Sequence, residues 1–188
     1  MKTLSTLLIV VISLILGLND RKAPLLNALE GAWEIETLNG EALGHRGVFL
    51  IQEPYAFYTE FNVEKKTFVG SRGGMIEIIG NKISFKAEFD TWAEAQIGVT
   101  YQITATLKGA QVSLDFKADD QAFNMTLNRL DNGSGDLAGA WRITDRMRNG
   151  EMSAMTLGAR KTIKMISGTR FQWAAFNSET KQFSGTGG

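Results

Sequence analysis

The chain has 188 residues, 44% hydrophobic and 21% charged, with 20 basic and 20 acidic side chains and no cysteine. This is globular composition, and a pI of 6.6 lacks the basic footprint of a phosphate-backbone binder, so no nucleic acid is expected as partner. The absence of cysteine excludes disulfides, thiolate metal sites, a cysteine nucleophile and a lipid-bearing cysteine anchor together.

Residues 1–24 read as a targeting segment. Lys2 gives a positive start, and Leu4 to Leu18 is dominated by Leu, Ile and Val. That run suits a signal-peptide core and falls short of the roughly 20 residues a spanning helix needs. Asn19-Asp20-Arg21-Lys22 offers no clear small-x-small cleavage pair. Two readings stay open: a cleaved signal peptide, or an uncleaved N-terminal anchor that would be the sole link to a membrane. Either places the remainder outside the cytosol, secreted or periplasmic.

From residue 25 to 131 the pattern is strand after strand. Val99 to Leu107 alternates apolar and polar side chains, as a sheet wet on one face does. Lys108-Gly109-Ala110 turns it into Val112, Leu114 and Phe116, and Phe123, Met125 and Leu127 form the last strand. Gly80-Asn81 is a two-residue hairpin signal between Ile76–Ile79 and Ile83–Phe89. Tyr55–Phe61 and Thr67–Gly70 flank Asn62 to Lys66, another hairpin. With Ala32–Leu38 and Val48–Gln52 this makes about nine short strands and no convincing helical period. Such a pattern implies a barrel or sandwich, and closure favours the barrel because it removes exposed strand edges.

The chain repeats itself. Leu29-Glu30-Gly31-Ala32-Trp33-Glu34-Ile35 recurs 108 residues later as Leu137-Ala138-Gly139-Ala140-Trp141-Arg142-Ile143, each followed by Asn-Gly-Glu. Phe61-Asn62, Glu64, Lys66, Phe68, Gly70 and Ser71 recur 115 residues later as Phe176-Asn177, Glu179, Lys181, Phe183, Gly185 and Thr186. Two blocks in one order predict a duplication. Residues 132–188 are expected to be a truncated second copy, and the chain a fragment or truncated gene product. Acidic side chains are in excess in residues 25–131 and basic ones in residues 132–188. Opposite signs would favour docking of the copies, although drift in solvated surface charge explains them as well.

Gly31-Ala32-Trp33 at the head of a meander of antiparallel strands resembles the start of the lipocalin and calycin group. More closely, the stretch from Lys161 through Gly168-Thr169-Arg170-Phe171-Gln172-Trp173 to Phe183–Gly188 resembles bacterial membrane or secreted proteins with lipocalin-like domains of unknown function. The resemblance covers most of residues 25–188. It implies an eight-stranded up-and-down barrel plugged at one end by Trp33, with a late arginine, Arg129, lying across the indole. Trp141 would be the plug of the second copy. It transfers a fold and no reaction.

Chemistry is sparse. His45, the single histidine, sits beside Gly44 and Arg46 as a loop residue would, and no Gly-x-Ser-x-Gly elbow accompanies it. Gly70-Ser71-Arg72-Gly73-Gly74 lacks the Lys-Ser/Thr ending of a phosphate loop and reads as a turn between strands. Asp119-Asp120 and Glu34/Glu36 supply carboxylates with no sign that any pair faces a cleft. Asp131 to Asp136 reads as a flexible linker between copies. The aromatic residues of the first copy either pack its interior solid or leave a cavity. Trp92, in an interruption of the meander at Asp90–Gln96, is a candidate lid or partner contact.

The expectation is therefore an all-β, lipocalin-like antiparallel barrel over residues 25–131, then the truncated copy at 132–188. It would be an exported binding protein and not an enzyme, with no cofactor, no metal and no catalytic residue. A small apolar ligand would lie inside the first barrel near Tyr58, Tyr101 and Trp92. The alternative is a structural or assembly module with solid barrels that contacts other envelope proteins.

Overall fold

The computed structural model describes residues 24–188, so the targeting segment lies outside the described residues, apart from Pro24. A six-residue helix α1 (Pro24–Leu29) leads into nine strands: β1 (Gly31–Leu38), β2 (Glu41–Ala42), β3 (Arg46–Gln52), β4 (Tyr55–Asn62), β5 (Thr67–Ile79), β6 (Lys82–Asp90), β7 (Thr100–Lys108), β8 (Gln111–Ala118) and β9 (Gln121–Asp131). They pair antiparallel in the order β2-β1-β3-β4-β5-β6-β7-β8-β9, and β1 also pairs with β9. The sheet thus closes into an eight-stranded antiparallel barrel, with β2 a short spur off β1.

One end of the barrel is stoppered. Helix α1 was too short to show a period in the sequence, yet it drives Leu26 and Leu29 into the core beside Trp33. Trp33 is wholly buried, and its Nε1 donates to the Leu29 carbonyl at 2.8 Å. The Arg129 guanidinium carbon stands 3.9 Å from the indole centroid. The same guanidinium donates to the carbonyls of Glu30 (3.0 Å), Asp131 (3.1 Å) and Ala28. Arg129 therefore satisfies orphan acceptors at the helix C-terminus while holding the ring, a place where a cation is favoured. Gly31 has φ +125°, and a Cβ there would stand 2.2 Å from the Asp131 carbonyl, so the chain admits only glycine ahead of the plug.

The glycine run at residues 70–74 turns nothing. It lies inside β5, which is a single 13-residue strand where the sequence suggested two shorter ones joined by a turn. A Cβ at Gly73 would meet Phe57 at 2.4 Å and Phe89 at 2.5 Å, and one at Gly74 would meet the Lys86 carbonyl at 1.9 Å, beside a register shift. Here glycine admits aromatic rings and a bulge, which is its other use in strands.

Residues beyond the barrel form a second, four-stranded sheet in the order β10-β13-β14-β15, built from β10 (Gly139–Arg142), β13 (Arg160–Ile166), β14 (Phe171–Asn177) and β15 (Gln182–Gly187). A separate hairpin joins β11 (Asp145–Arg148) to β12 (Glu151–Ala154). The ladders follow those of β1-β3-β4-β5 residue by residue. Trp33 pairs Phe49, Phe49 pairs Tyr58 and Tyr58 pairs Arg72; in the second sheet Trp141 pairs Lys164, Lys164 pairs Trp173 and Trp173 pairs Gly187. The register shift at Glu60/Phe61 reappears at Ala175/Phe176. Positive φ recurs too, at Asn39 and Asn149 (both 53°) and at Lys66 (53°) and Lys181 (58°).

This sheet lies on the outside of the barrel. Ala32, Leu50, Phe57 and Phe89 point outward from barrel strands, yet they are buried against Ile163, Met165, Ala174 and Phe176. That explains why β4 is apolar on both faces. Several polar groups in the seam are paired: Gln172 donates to Thr59 and to Ser71 (3.2 Å), whose hydroxyls share a bond of 2.8 Å, and Lys161 meets Glu88 Oε1 at 2.7 Å, while Glu88 Oε2 is buried without a hydrogen-bond partner among the described residues. Asp131, which the sequence suggested was the start of a linker, is a staple. Its carboxylate accepts from the backbone of Ala32, Gly133, Gly168 and Thr169 and from the hydroxyls of Ser167 and Thr169, at 2.7–3.2 Å.

Two outcomes follow. Trp33→Ala is expected to cost about 3–5 kcal/mol in denaturant unfolding, as large core truncations do; a loss under about 1 kcal/mol would show that the indole is no plug. Burial by itself raises the Asp131 carboxyl, but bonds from Thr169, Gly133 and Ser167 outweigh it and hold the group at about 2, below its ordinary 3.8. Its contribution is therefore complete above about pH 3.8 and vanishes as pH falls through about 2. Thermal melts between pH 4 and 2 should show the native protein losing stability that Asp131→Asn never had, and parallel curves would refute the staple.

Candidate functional site

The barrel interior holds an apolar cavity of about 100 Å³, walled by Phe49, Ile51, Ile76, Ile83, Phe85 and Ile103 with Leu29 of α1 below. Alternation along each strand produces this: Tyr58 and Ala56 point in from β4 while Phe57 and Thr59 point out to the second sheet. Most of the volume is filled by side chains. The space left is comparable to the engineered cavities that admit a single benzene ring, and below the roughly 300 Å³ of ordinary ligand sites.

Among the described residues, Arg72 is the one charged side chain in the cavity wall. It sits on β5 opposite Tyr58 and Asp90 in the ladders. Its Nε donates to Asp90 Oδ2 at 2.6 Å, and its guanidinium carbon stands 5.7 Å from the Tyr101 ring centroid. The Asp90 carboxylate is fully buried, and its other oxygen accepts from the backbone N–H of Trp92 (2.9 Å) and Ala93 (3.1 Å). That one aspartate thus anchors the arginine and shapes the loop carrying Trp92.

Tyr58 and Tyr101 both line the cavity. Tyr58 is sandwiched between Phe49 (4.7 Å between centroids) and Trp92 (5.5 Å), and its hydroxyl donates to Glu60. Burial first, then Glu60, raises the Tyr58 hydroxyl well above its ordinary value, with Arg72 pulling weakly the other way. Burial likewise raises Tyr101, which donates to Gln96 at 2.5 Å. Both phenols are therefore proton donors at neutral pH. Trp92, 42% exposed, roofs Tyr58 and lies flat on the backbone of Gly70, where a Cβ would stand 2.2 Å from the indole.

One stretch of the wall is unpaired. The β6–β7 ladder runs to Lys86↔Thr100, but the β7–β8 ladder begins only at Ile103↔Phe116. Thr100 to Gln102 thus leave β8 unpaired, and a groove of about 580 Å³ lies there against Lys117, Phe123 and Asn124. Tyr101 and Phe116 border both the groove and the inner cavity, meeting edge to face at 6.4 Å.

The structure brings Tyr58, Tyr101 and Trp92 into one cluster, and Trp33 and Arg129 into another. Trp141, expected to plug a second barrel, is instead 49% exposed, although its Nε1 donates to the Leu137 carbonyl at 2.9 Å as Trp33 does to Leu29. Sequence reasoning missed Arg72, Asp90 and Gln96. Only period two along β5 could have flagged Arg72, and the neighbouring glycines hid it. His45 is exposed, Glu34 pairs with Arg46 at 2.8 Å, and Glu36 takes a bond from Gln111. Asp119 and Asp120 occupy a positive-φ turn, and among the described residues no three His, Cys, Asp or Glu side chains converge. No protein-family model matches the chain, and no curated protein or solved structure does so either.

Gly70→Val should displace the Trp92 ring and cost about 1–3 kcal/mol, as overpacking does. Near-UV circular dichroism should lose the Tyr58–Trp92 signal. An unchanged spectrum with unchanged stability would mean the indole does not rest on Gly70.

Proposed function

We propose that the protein is a non-enzymatic binding protein of the lipocalin type, exported by its N-terminal segment, that holds a small amphiphile in the barrel. The observation that carries this reading is Arg72. A guanidinium bordering an otherwise apolar wall, with only its Nε hydrogen-bonded among the described residues, keeps donors available to a ligand. An apolar group about the size of one ring would fill the inner space, and a polar or anionic end would meet Arg72 and the two phenols. The groove beside Tyr101 is the route in, with the Tyr101–Gln96 bond as its latch. The stoppered end with Trp33 under Arg129 supports the lipocalin-like assignment, and the matching ladders support a duplication.

Native mass spectrometry of protein purified from its own compartment should show a small co-purifying mass, and Arg72→Met should weaken binding about tenfold, or about 1.4 kcal/mol. Bare protein in every preparation, together with no fluorescence gain from added 1-anilinonaphthalene-8-sulfonate, would count against a carrier.

A second reading, an assembly module that contacts envelope proteins, is favoured by one feature: eight of the fifteen exposed large apolar side chains among the described residues fall between Leu137 and Phe171. Where such side chains form a contiguous patch, they mark an interaction surface.

A further inference from the structure

The groove beside Tyr101 has a lining of two kinds. Strand alternation turns Tyr101, Phe116 and Phe123 toward the barrel interior, and Gln102, Asp115 and Asn124 away from it. Where the β7–β8 ladder stops, beyond Ile103↔Phe116, both sets border one space of about 580 Å³. That volume lies within the roughly 300–1,000 Å³ of ordinary small-molecule sites, which the inner cavity does not reach. Phe116 and Phe123, each half-buried, stack at 5.4 Å between centroids with 16° between planes. Tyr101 meets Phe116 edge to face.

The polar side chains of the lining are held in place by one another. Asn124 Nδ2 donates to Ser113 Oγ (2.8 Å) and to Asp115 Oδ1 (2.7 Å). Asn39, in the β1–β2 turn, accepts on Oδ1 from the Asn124 backbone N–H (2.9 Å), and its own N–H donates to the Asn124 carbonyl (2.7 Å). Gln102 Nε2 donates to Ser84 Oγ at 3.2 Å. Each bond uses one end of a side chain and leaves the other end open. Asn39 Nδ2, Gln102 Oε1 and Asp115 Oδ2 carry no hydrogen bond among the described residues. One donor and two acceptors are thus offered on side chains already fixed, which keeps the ordering cost of binding low. Asp115 and Lys117, the two charged side chains of this lining, have opposite signs.

We propose that this groove is a carbohydrate site that takes a neutral disaccharide. A pyranose ring has an apolar face of C–H groups and a rim of hydroxyls, each able to donate and to accept. The aromatic side chains suit the face, because their negative π-clouds attract C–H groups. The carboxylate of Asp115 and the amides of Asn39 and Gln102 suit the rim, accepting from one hydroxyl and donating to the next. Other ligand classes fit less well. An anion gains nothing from a lining whose charges cancel, and a wholly apolar ligand would leave the fixed polar groups unpaired. The site goes beyond the carrier reading and does not rest on it, since the sugar lies outside the inner cavity. Tyr101 and Phe116 border both spaces, so a sugar seated in the groove stands across the path into the barrel.

The test is heteronuclear NMR of the full chain titrated with maltose, cellobiose, lactose and diacetylchitobiose at millimolar concentration. At least one disaccharide should shift the amide signals of Asn39, Gln102 and Asn124, and saturation transfer should reach its ring C–H protons. Phe123→Leu, which keeps an apolar side chain, and Gln102→Ala, at an exposed position, should each weaken that binding about tenfold with unchanged far-UV spectra. Phe68→Leu, at an exposed aromatic residue outside the groove, should bind as the native chain does. Binding of 1-anilinonaphthalene-8-sulfonate, followed in parallel, separates the two readings: dye binding without a sugar response sinks the groove site alone, and a sugar response without dye binding sinks the carrier alone. No shift with any of the four sugars, the same shifts from glycerol, shifts confined to residues away from the groove, full binding by either groove variant, or a loss in Phe68→Leu would each overturn the proposal.

Discussion

The end of β9 is where the molecule is tied together. Within three residues it carries Arg129, whose guanidinium lies over Trp33 and caps α1, and Asp131, whose carboxylate takes six hydrogen bonds from three separate segments. The first closes the barrel, because β1 and β9 meet there. The second fastens the neighbouring sheet to it. Charge-assisted bonds are stronger than neutral ones, and concentrating them at a seam gives several weakly related elements one geometry.

What the closed end permits is a cavity that is nearly, but not wholly, full. Aromatic side chains pack most of the interior, and the remaining space collects beside Arg72. Keeping a guanidinium in such a wall has a desolvation cost, which the buried Asp90 offsets at 2.6 Å. The same aspartate holds the Trp92 loop by its backbone, so the position of the roof and the charge in the wall are set by one side chain. Glycine in β5 makes room for this arrangement, with Gly70 lying under the indole and Gly73 under Phe57 and Phe89.

The barrel and the second sheet share a pairing pattern and differ in burial. In β1, β3, β4 and β5 one face surrounds the cavity and the other is covered by the sheet outside. In β10, β13, β14 and β15 the face on the barrel is buried and its reverse carries Trp141 and Phe171 to solvent. Local sequence sets the same ladders, the same bulge after Glu60 and Ala175, and the same left-handed turn residues in both. In the barrel, burial of the opposite face comes from β6 to β9.

Much of the architecture was legible in residue order. Alternation in Val99–Leu107, the Gly80-Asn81 turn and the recurrence of Gly-Ala-Trp each depend on neighbours within a few positions, and a period of two is a local property. By itself, then, the sequence determined the all-β class and most strands of the first unit, although it divided β5 in two and did not show β2. Other features came from contacts across roughly a hundred residues, which no local pattern encodes. Tertiary structure decided that Asp131 is a staple and no linker, because Ser167 and Thr169 must fold back to meet it. It also decided that the glycines at 70–74 continue a strand, because what they accommodate, Trp92 and Phe89, arrives from β6 and its loop. Arg72 became a site residue for the same reason: the strand dictates only that it points inward, while Asp90 and Tyr101 reach it when the barrel closes.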